Sequence, residues 1–145
     1  MFYYLNIGSN LGNKMLNISR AISEIEKVFG WFELSSTVES EPWGYESAHK
    51  FVNIGMLIAS ELSPEEVLKK LQVIEKKISP APHRSKDGSY MDRIIDIDIM
   101  AAHSVPELKG VEISTSVLTL PHPHLQERPF FMEPYRDLLS KTPHN

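Results

Sequence analysis

The run Arg93-Ile94-Ile95-Asp96-Ile97-Asp98-Ile99-Met100 carries the clearest chemistry in the chain. Its alternation is that of a β-strand, whose successive side chains point to opposite faces. Ile95, Ile97 and Ile99 then share one face, and Asp96 and Asp98 share the other. Carboxylates at i and i+2 of a strand stand roughly 7 Å apart. That spacing suits one hard cation between them, or two cations that share ligands. Mg²⁺ in particular prefers a few carboxylates together with phosphate oxygens. A half-buried strand with a solvated acidic face gives the same bare pattern. The flanking isoleucines weigh against it, because burial beside a like charge is costly to a carboxylate unless a metal or a basic partner relieves it.

Basic partners precede the pair. His83-Arg84-Ser85-Lys86-Asp87-Gly88-Ser89-Tyr90-Met91-Asp92-Arg93 is a polar stretch with three fixed cations. Beside a metal site such a stretch suits a triphosphate, since Arg and Lys neutralise charge that develops during phosphoryl transfer. Taken alone it reads as a solvated loop. A third cluster, Pro121-His122-Pro123-His124 through Arg128-Pro129-Phe130, offers His122 and Arg128 as phosphate donors. Its His-x-His also brings zinc to mind, but no third nitrogen or sulfur ligand stands at a typical spacing. His49, His103 and His144 have no motif around them and are read as surface residues. Gly8-Ser9-Asn10-Leu11-Gly12 is no P-loop, because no Gly-Lys-Ser/Thr follows, and it reads as a strand-to-helix turn. Trp43, Phe51 and Phe130 are able to stack on a flat heterocycle, with Asn53 reading its polar edge, although each aromatic alone reads as core.

The elements that must position these residues follow from periodicity. Phe2 to Ile7 is a short aromatic and β-branched strand that stops at the glycine turn. Ile18, Ala21, Ile22, Ile25, Val28 and Phe29 recur at helical spacing, giving a helix over Met15 to Phe29 with Gly30 as its stop. Trp31 to Ser40 and Phe51 to Ser60 read as strands. Ser63-Pro64-Glu65-Glu66 is a capping box that opens a second helix, with Val67, Leu68, Leu71, Ile74 and Ile78 as its stripe. Ile94 to Ala101 is the fourth strand. The order β-α-β-β-α-β is the ferredoxin-like plan, an α+β fold with an antiparallel sheet and helices on one face. A Pro- and His-rich extension follows from about Leu118, and its end beyond Leu139 is expected to fray. The loops Glu41 to Lys50 and Ser79 to Asp92 are long enough to suggest function.

Composition sets the outer limits. The 145 residues suit one domain, 1–145. A net charge of −4 argues against a nucleic-acid binder, which needs a basic face. No apolar run reaches membrane-spanning length, and Met1-Phe2-Tyr3-Tyr4 lacks the features of a secretion signal. The absence of cysteine removes thiolate nucleophiles and Cys-based zinc sites. A cytoplasmic location is the expectation. The oligomeric state is not readable from the sequence, and a monomer is consistent with it.

In combination and in order, these motifs resemble the 6-hydroxymethyl-7,8-dihydropterin pyrophosphokinases of folate biosynthesis. The resemblance runs from Tyr4 to about Leu138. It rests on Leu5-Asn6-Ile7-Gly8-Ser9-Asn10-Leu11-Gly12, Glu41-Pro42-Trp43-Gly44, Phe51-Val52-Asn53, the Arg93 to Met100 strand, and Leu120-Pro121-His122-Pro123-His124 through Arg128-Pro129-Phe130. It implies the same fold and the transfer of pyrophosphate from ATP to the hydroxymethyl group of the pterin, with AMP released. It implies that Asp96 and Asp98 bind two Mg²⁺ ions, and that Arg93, His122 and Arg128 contact the nucleotide phosphates. Arg84 would move in with its loop, and Gln72 and Glu75 would help hold the nucleotide. Phe51 and Phe130 would sandwich the pterin, and Asn53, with groups near Ser40, Pro42 and Trp43, would bind its edge. The chain departs from the family pattern in the loop before Arg93, where Met91-Asp92 replaces a frequent Gly-Pro and Tyr90 a frequent Trp. Competing readings are a non-enzymatic ligand-binding module, an RNA-binding module of similar topology, and a family member that binds nucleotide without turnover.

Overall fold

The computed structural model describes residues 1–42, 49–79 and 92–143. Strand β1 (Phe2–Ser9) leads into helix α1 (Lys14–Phe29). The Asn13 side chain caps that helix by accepting the Leu16 N–H at 3.1 Å. Gly30 closes it at φ 81°, a left-handed geometry that glycine adopts without a Cβ penalty. Strands β2 (Phe32–Ser40) and β3 (Phe51–Ala59) follow, then helix α2 (Pro64–Ile78). The capping box at its start is formed as expected: Ser63 Oγ accepts the Glu66 N–H, and Glu66 Oε1 accepts the Ser63 N–H. Strand β4 (Asp96–His103), the short strands β5 (Ile113–Ser114) and β6 (Thr119–Leu120), and helix α3 (Pro129–Ser140) complete the order.

The main sheet runs β2-β3-β1-β4, with every neighbouring pair antiparallel, and β5 pairs with β6 in a separate two-stranded ribbon. Strand alternation divides its side chains between two faces. Leu5 and Ile7 of β1, Ile54, Met56 and Ile58 of β3, and Ile97 and Ile99 of β4 pack with Ile18, Ala21 and Ile25 of α1 and Val67, Leu71, Ile74 and Ile78 of α2. The opposite face carries Tyr4, Leu57, Met100 and Ala101, which pack with Phe131 and Leu138 of α3.

That second face corrects the expectation of helices on one side only. The extension is not a tail: residues Pro129–Ser140 form α3, and its end is pinned by Thr142 Oγ1, 2.7 Å from Tyr4 Oη. Helix α3 comes so close to the sheet that a Cβ on Gly55 would lie 2.8 Å from Pro134 Cβ and 2.9 Å from Leu138 Cδ1. Glycine at 55 is therefore a packing requirement. Smaller corrections concern β4, which starts two residues later than expected and runs on to His103; Val28, which is exposed; and His103. The last is half-buried and partnered. Its ring packs against Tyr4 at 4.7 Å and its Nε2 lies 2.9 Å from Tyr135 Oη.

No described helix is long and apolar enough to cross a membrane.

Candidate active site

Helix α3 covers only part of its face of the sheet. On this face the sheet carries two rows of cross-strand partners, the second of which reaches under α3 at Gly55. In the first row Asn53 of β3, Gly8 of β1 and Asp96 of β4 stand side by side. In the second, two residues along each strand, Gly55, Asn6 and Asp98 do the same. Neighbouring strands lie about 4.8 Å apart, so the glycine at position 8 adds no side chain between Asn53 and Asp96, and this shallow trough is bordered by the Asn53 and Phe51 side chains. An added Cβ at Gly8 would meet Asn53 Oδ1 at 3.0 Å and Phe51 Cδ1 at 3.4 Å.

On the β3 side of the trough, Asn53 is 3% exposed and its amide is fixed in orientation. Nδ2 donates to Ser40 Oγ at 2.9 Å and to the Val38 carbonyl at 3.3 Å. This leaves Oδ1 facing Gly8. Ser40 pairs with Phe51 across β2 and β3, so Ser40, Phe51 and Asn53 form one corner. Pro42 lies two residues past the end of β2. Phe130 enters from α3, and its carbonyl accepts a hydrogen bond from Asn6 Nδ2 at 2.8 Å. Trp43, Arg84 and His144 lie outside the described residues.

On the β4 side three carboxylates crowd together. Asp96 Oδ2 is 3.0 Å from Arg93 Nη1. Glu75 reaches from α2 to the open edge of β4, where its Oε2 accepts the Ile97 N–H at 3.0 Å. Burial and then the Asp96 charge push the Glu75 carboxyl up to about 8, against the opposing effects of that N–H and of Arg93. Asp98 is raised well above the usual carboxylate range for the same reasons, burial first and then the charges of Asp96 and Glu75, while Arg128 pulls the other way. Gln72, one helical turn before Glu75, is exposed.

His122 faces Asp98, with Nε2 4.0 Å from Oδ1. Burial, and then the charges of Arg128 and His124, lower its pKa to about 4, so the ring is neutral at pH 7. The His124 N–H donates to His122 Nδ1 at 3.1 Å. A neutral imidazole whose Nδ1 accepts carries its proton on Nε2. His122 thus presents a fixed, neutral N–H donor on the carboxylate side. Arg128, the N-cap residue of α3, lies over the Phe131 ring at 4.9 Å and the Phe130 ring at 5.7 Å.

Two structural features lie outside the sequence reading. The first is Asn10, fully buried after β1, whose Oδ1 accepts the Arg93 N–H at 2.8 Å and whose Nδ2 donates to Asp92 Oδ1 at 2.8 Å and the His49 carbonyl at 3.1 Å. The glycine turn is therefore a strut for Arg93 as well as a connection. The second is a cavity of about 300 Å³ at the open edge of β4, lined by Leu68, Ile99, Thr115, Leu118, Thr119, His122 and Asp98 among others. That size lies at the lower end of ligand pockets. Nothing in the sequence between Ile113 and Thr119 shows a periodicity or motif; the pairing of β5 with β6 brings these residues to the edge.

Among the described residues, no group of three or more His, Cys, Asp or Glu side chains converges as a metal-binding set. Asp96 and Asp98 fit a cation that takes only part of its shell from protein. Mg²⁺ behaves in this way, keeping waters and phosphate oxygens as its other ligands. The crowding that raises Asp98 and Glu75 is what a divalent charge would relieve.

A sequence model of the 7,8-dihydro-6-hydroxymethylpterin-pyrophosphokinase family matches residues 4–140. The chain belongs to this pyrophosphokinase family. It is similar to the 2-amino-4-hydroxy-6-hydroxymethyldihydropteridine pyrophosphokinase of Porphyromonas gingivalis, with 38% identity over 136 residues, 93% of this chain and 88% of the relative. Similarity to the pyrophosphokinase of the same name from Aquifex aeolicus is 33% over 135 residues, 93% of this chain and 78% of the relative. A folic acid synthesis protein of Dictyostelium discoideum is 33% identical over 135 residues, which is 93% of this chain but 19% of that protein. The pyrophosphokinase domain thus also occurs as one part of a longer chain.

Proposed function

We propose that this chain transfers the pyrophosphoryl group of ATP to the hydroxymethyl oxygen of 6-hydroxymethyl-7,8-dihydropterin, releasing AMP, as a step of folate biosynthesis, in a reaction that requires Mg²⁺. The observation that carries this reading is the first cross-strand row. Asn53, with its amide fixed, and Asp96, with its carboxylate on the same face, stand on either side of Gly8, which has no side chain of its own and is bordered by Asn53 Oδ1 and the Phe51 ring. A flat heterocycle read by Asn53 Oδ1 and flanked by Phe51 and Phe130 places its side arm toward the carboxylates.

Residues 1–145 act as one catalytic domain in this reading. The strand order β2-β3-β1-β4 supports the ferredoxin-like plan, with α3 as an addition on the second face. The cavity at the β4 edge suits the base and ribose of ATP, because an edge strand offers backbone donors and acceptors and the neighbouring Thr115 and Thr119 offer hydroxyls. It opens beside His122 and Asp98, so the triphosphate would run from the cavity across the carboxylates toward the trough. The residues that would hold two Mg²⁺ ions are Asp96 and Asp98; bound there, the metal neutralises charge on the phosphate oxygens. Arg93, Arg128 and the Nε2–H of His122 converge on the same region and would hold the phosphates in line with the attacking hydroxyl. Positioning of this kind contributes a large share of the rate in phosphoryl transfer. Glu75 holds the β4 edge in place through the Ile97 N–H and in this reading helps to hold the nucleotide beside it.

The test is the adenine nucleotide product, resolved by chromatography after incubation with ATP, the pterin and Mg²⁺. AMP that appears only with both pterin and Mg²⁺ is expected. ADP would place the attack at the γ-phosphorus and overturn the mechanism. No product at all would leave a ligand-binding role, to be checked by ATP binding with and without Mg²⁺.

A further inference from the structure

Asn6 lies in the middle of the sheet, 2% exposed, between Leu5 and Ile7 in a strand that is otherwise largely apolar. A buried amide in such a place needs a partner. Its Nδ2 donates to the Phe130 carbonyl at 2.8 Å. Phe130 is in the first turn of α3, where a carbonyl ordinarily accepts the N–H four residues on. Four residues on is Pro134, which has no N–H and whose ring crowds that same carbonyl. The proline is buried against the sheet at Gly55, and Gly55 is the cross-strand partner of Asn6. The donor missing from the helix and the donor supplied by the sheet are therefore neighbours. On its other side Asn6 pairs with Asp98.

We infer that Asn6 is a positioning residue, which supplies the hydrogen bond that Pro134 removes from α3 and so fixes the turn bearing Arg128 and Phe130 relative to Asp98. This rests on the reading of Phe130 as a wall of the pterin site. The strand and helix sequences agree on the point. A polar residue is placed at a central strand position, where it weakens sheet packing, and a proline is placed inside a helix, where it removes a ladder bond. Each is unfavourable alone, and the pair is mutually satisfied.

A double-mutant cycle tests it in the full-length chain. Asn6→Ala should raise the KM for the pterin by about tenfold, the scale of one lost hydrogen bond, and the KM for ATP by clearly less. Pro134→Ala restores an N–H at the right place in the helix and keeps the Cβ that packs on Gly55. In that background Asn6→Ala should change the pterin KM by less than about threefold. Asn6→Ser, which keeps a small donor, gives an intermediate loss and serves if the alanine variant folds poorly. The same cycle is read by urea denaturation, where Asn6→Ala should be milder in the Pro134→Ala background than in the chain that keeps Pro134. An equal effect in both backgrounds on stability would overturn the inference whether or not the wild type turns over. A wild type that makes no AMP from the pterin would instead sink the functional reading, while the stability cycle still decides the role of Asn6. A fall in stability with unchanged pterin KM would reduce Asn6 to packing alone.

Discussion

Asn10 and Arg93 hold each other twice: Asn10 Oδ1 accepts the Arg93 N–H at 2.8 Å, and the Arg93 carbonyl accepts the Asn10 N–H at 3.1 Å. Arg93 in turn places its guanidinium 3.0 Å from Asp96. The turn after β1 thereby sets where a phosphate-directed cation stands. Asn10→Ala keeps the backbone half of this grip and removes the side-chain half. It should lower kcat by about 10²-fold, the scale of a misplaced catalytic group, and destabilise the fold by about 1–3 kcal/mol for the buried groups left unsatisfied. Steady-state kinetics with urea denaturation separates the two. A loss of stability with an unchanged kcat would show that Arg93 is held by other means.

Asp98 is buried beside the carboxyl groups of Asp96 and Glu75, and burial first, then their proximity, works against its ionised form. Replacing it by Asn should abolish AMP formation and at the same time stabilise the metal-free protein, because a carboxyl disfavoured by burial and by its carboxyl neighbours is gone. The gain is about 1.4 kcal/mol for each pKa unit of repulsion relieved. Mg²⁺ should raise the melting temperature of the wild type by mass action and leave that of Asp98→Asn nearly unchanged. Differential scanning calorimetry with and without Mg²⁺ measures both. A variant that is less stable than the wild type without metal, or that still responds to Mg²⁺ fully, would remove Asp98 from the metal site.

Legibility in the sequence follows the physics of each element. Helices α1 and α2 repeat their apolar residues at 3.6 and β4 alternates at 2, so their faces could be assigned from spacing alone, down to Asp96 and Asp98 on one side and Ile97 and Ile99 on the other, whereas β1 and β3 are near-continuous apolar runs buried on both faces. Helix α3 was hidden because Pro129 and Pro134 look like breakers, and the helix stands through tertiary contacts of Phe131 and Leu138 with Tyr4, Leu57 and Met100. The roles of His103 and His122 depend on which rings and amides surround them, which no local pattern encodes. Asn6 did leave a signal: an amide between Leu5 and Ile7 in a strand destined for burial has to find a partner.

Gly8 has the most direct consequence for the pterin. A methyl group there would stand 3.0 Å from Asn53 Oδ1, closer than ordinary contact, and 3.4 Å from Phe51 Cδ1, and would narrow the space over Gly8. Gly8→Ala should raise the pterin KM by about tenfold with little change in the KM for ATP, and Gly8→Val should abolish pterin binding. Binding followed by the intrinsic fluorescence of the pterin checks this without turnover. Unchanged pterin affinity in Gly8→Val would mean that the heterocycle does not lie over this row.

His103 gives a dependence of stability on pH. Burial lowers its pKa below the ordinary value of 6.5, its Nε2 lies 2.9 Å from Tyr135 Oη, and the Tyr4 ring packs against it, tilted, at 4.7 Å. The folded protein therefore binds a proton at this ring less readily than the unfolded chain does. Stability from this group is complete above pH 6.5 and falls as the pH drops from there through the folded pKa, because the unfolded state takes up the proton first. His122, lowered to about 4, acts in the same direction over the range from 6.5 down to about 4. His103→Asn removes only its own share. Its unfolding free energy should therefore decline less steeply than that of the wild type just below about pH 6.5, and the two should run parallel above about pH 7.5. Urea titrations at half-unit steps of pH resolve the difference. A wild type no more acid-sensitive than His103→Asn in that window would show that the ring is charged as readily in the fold as in water.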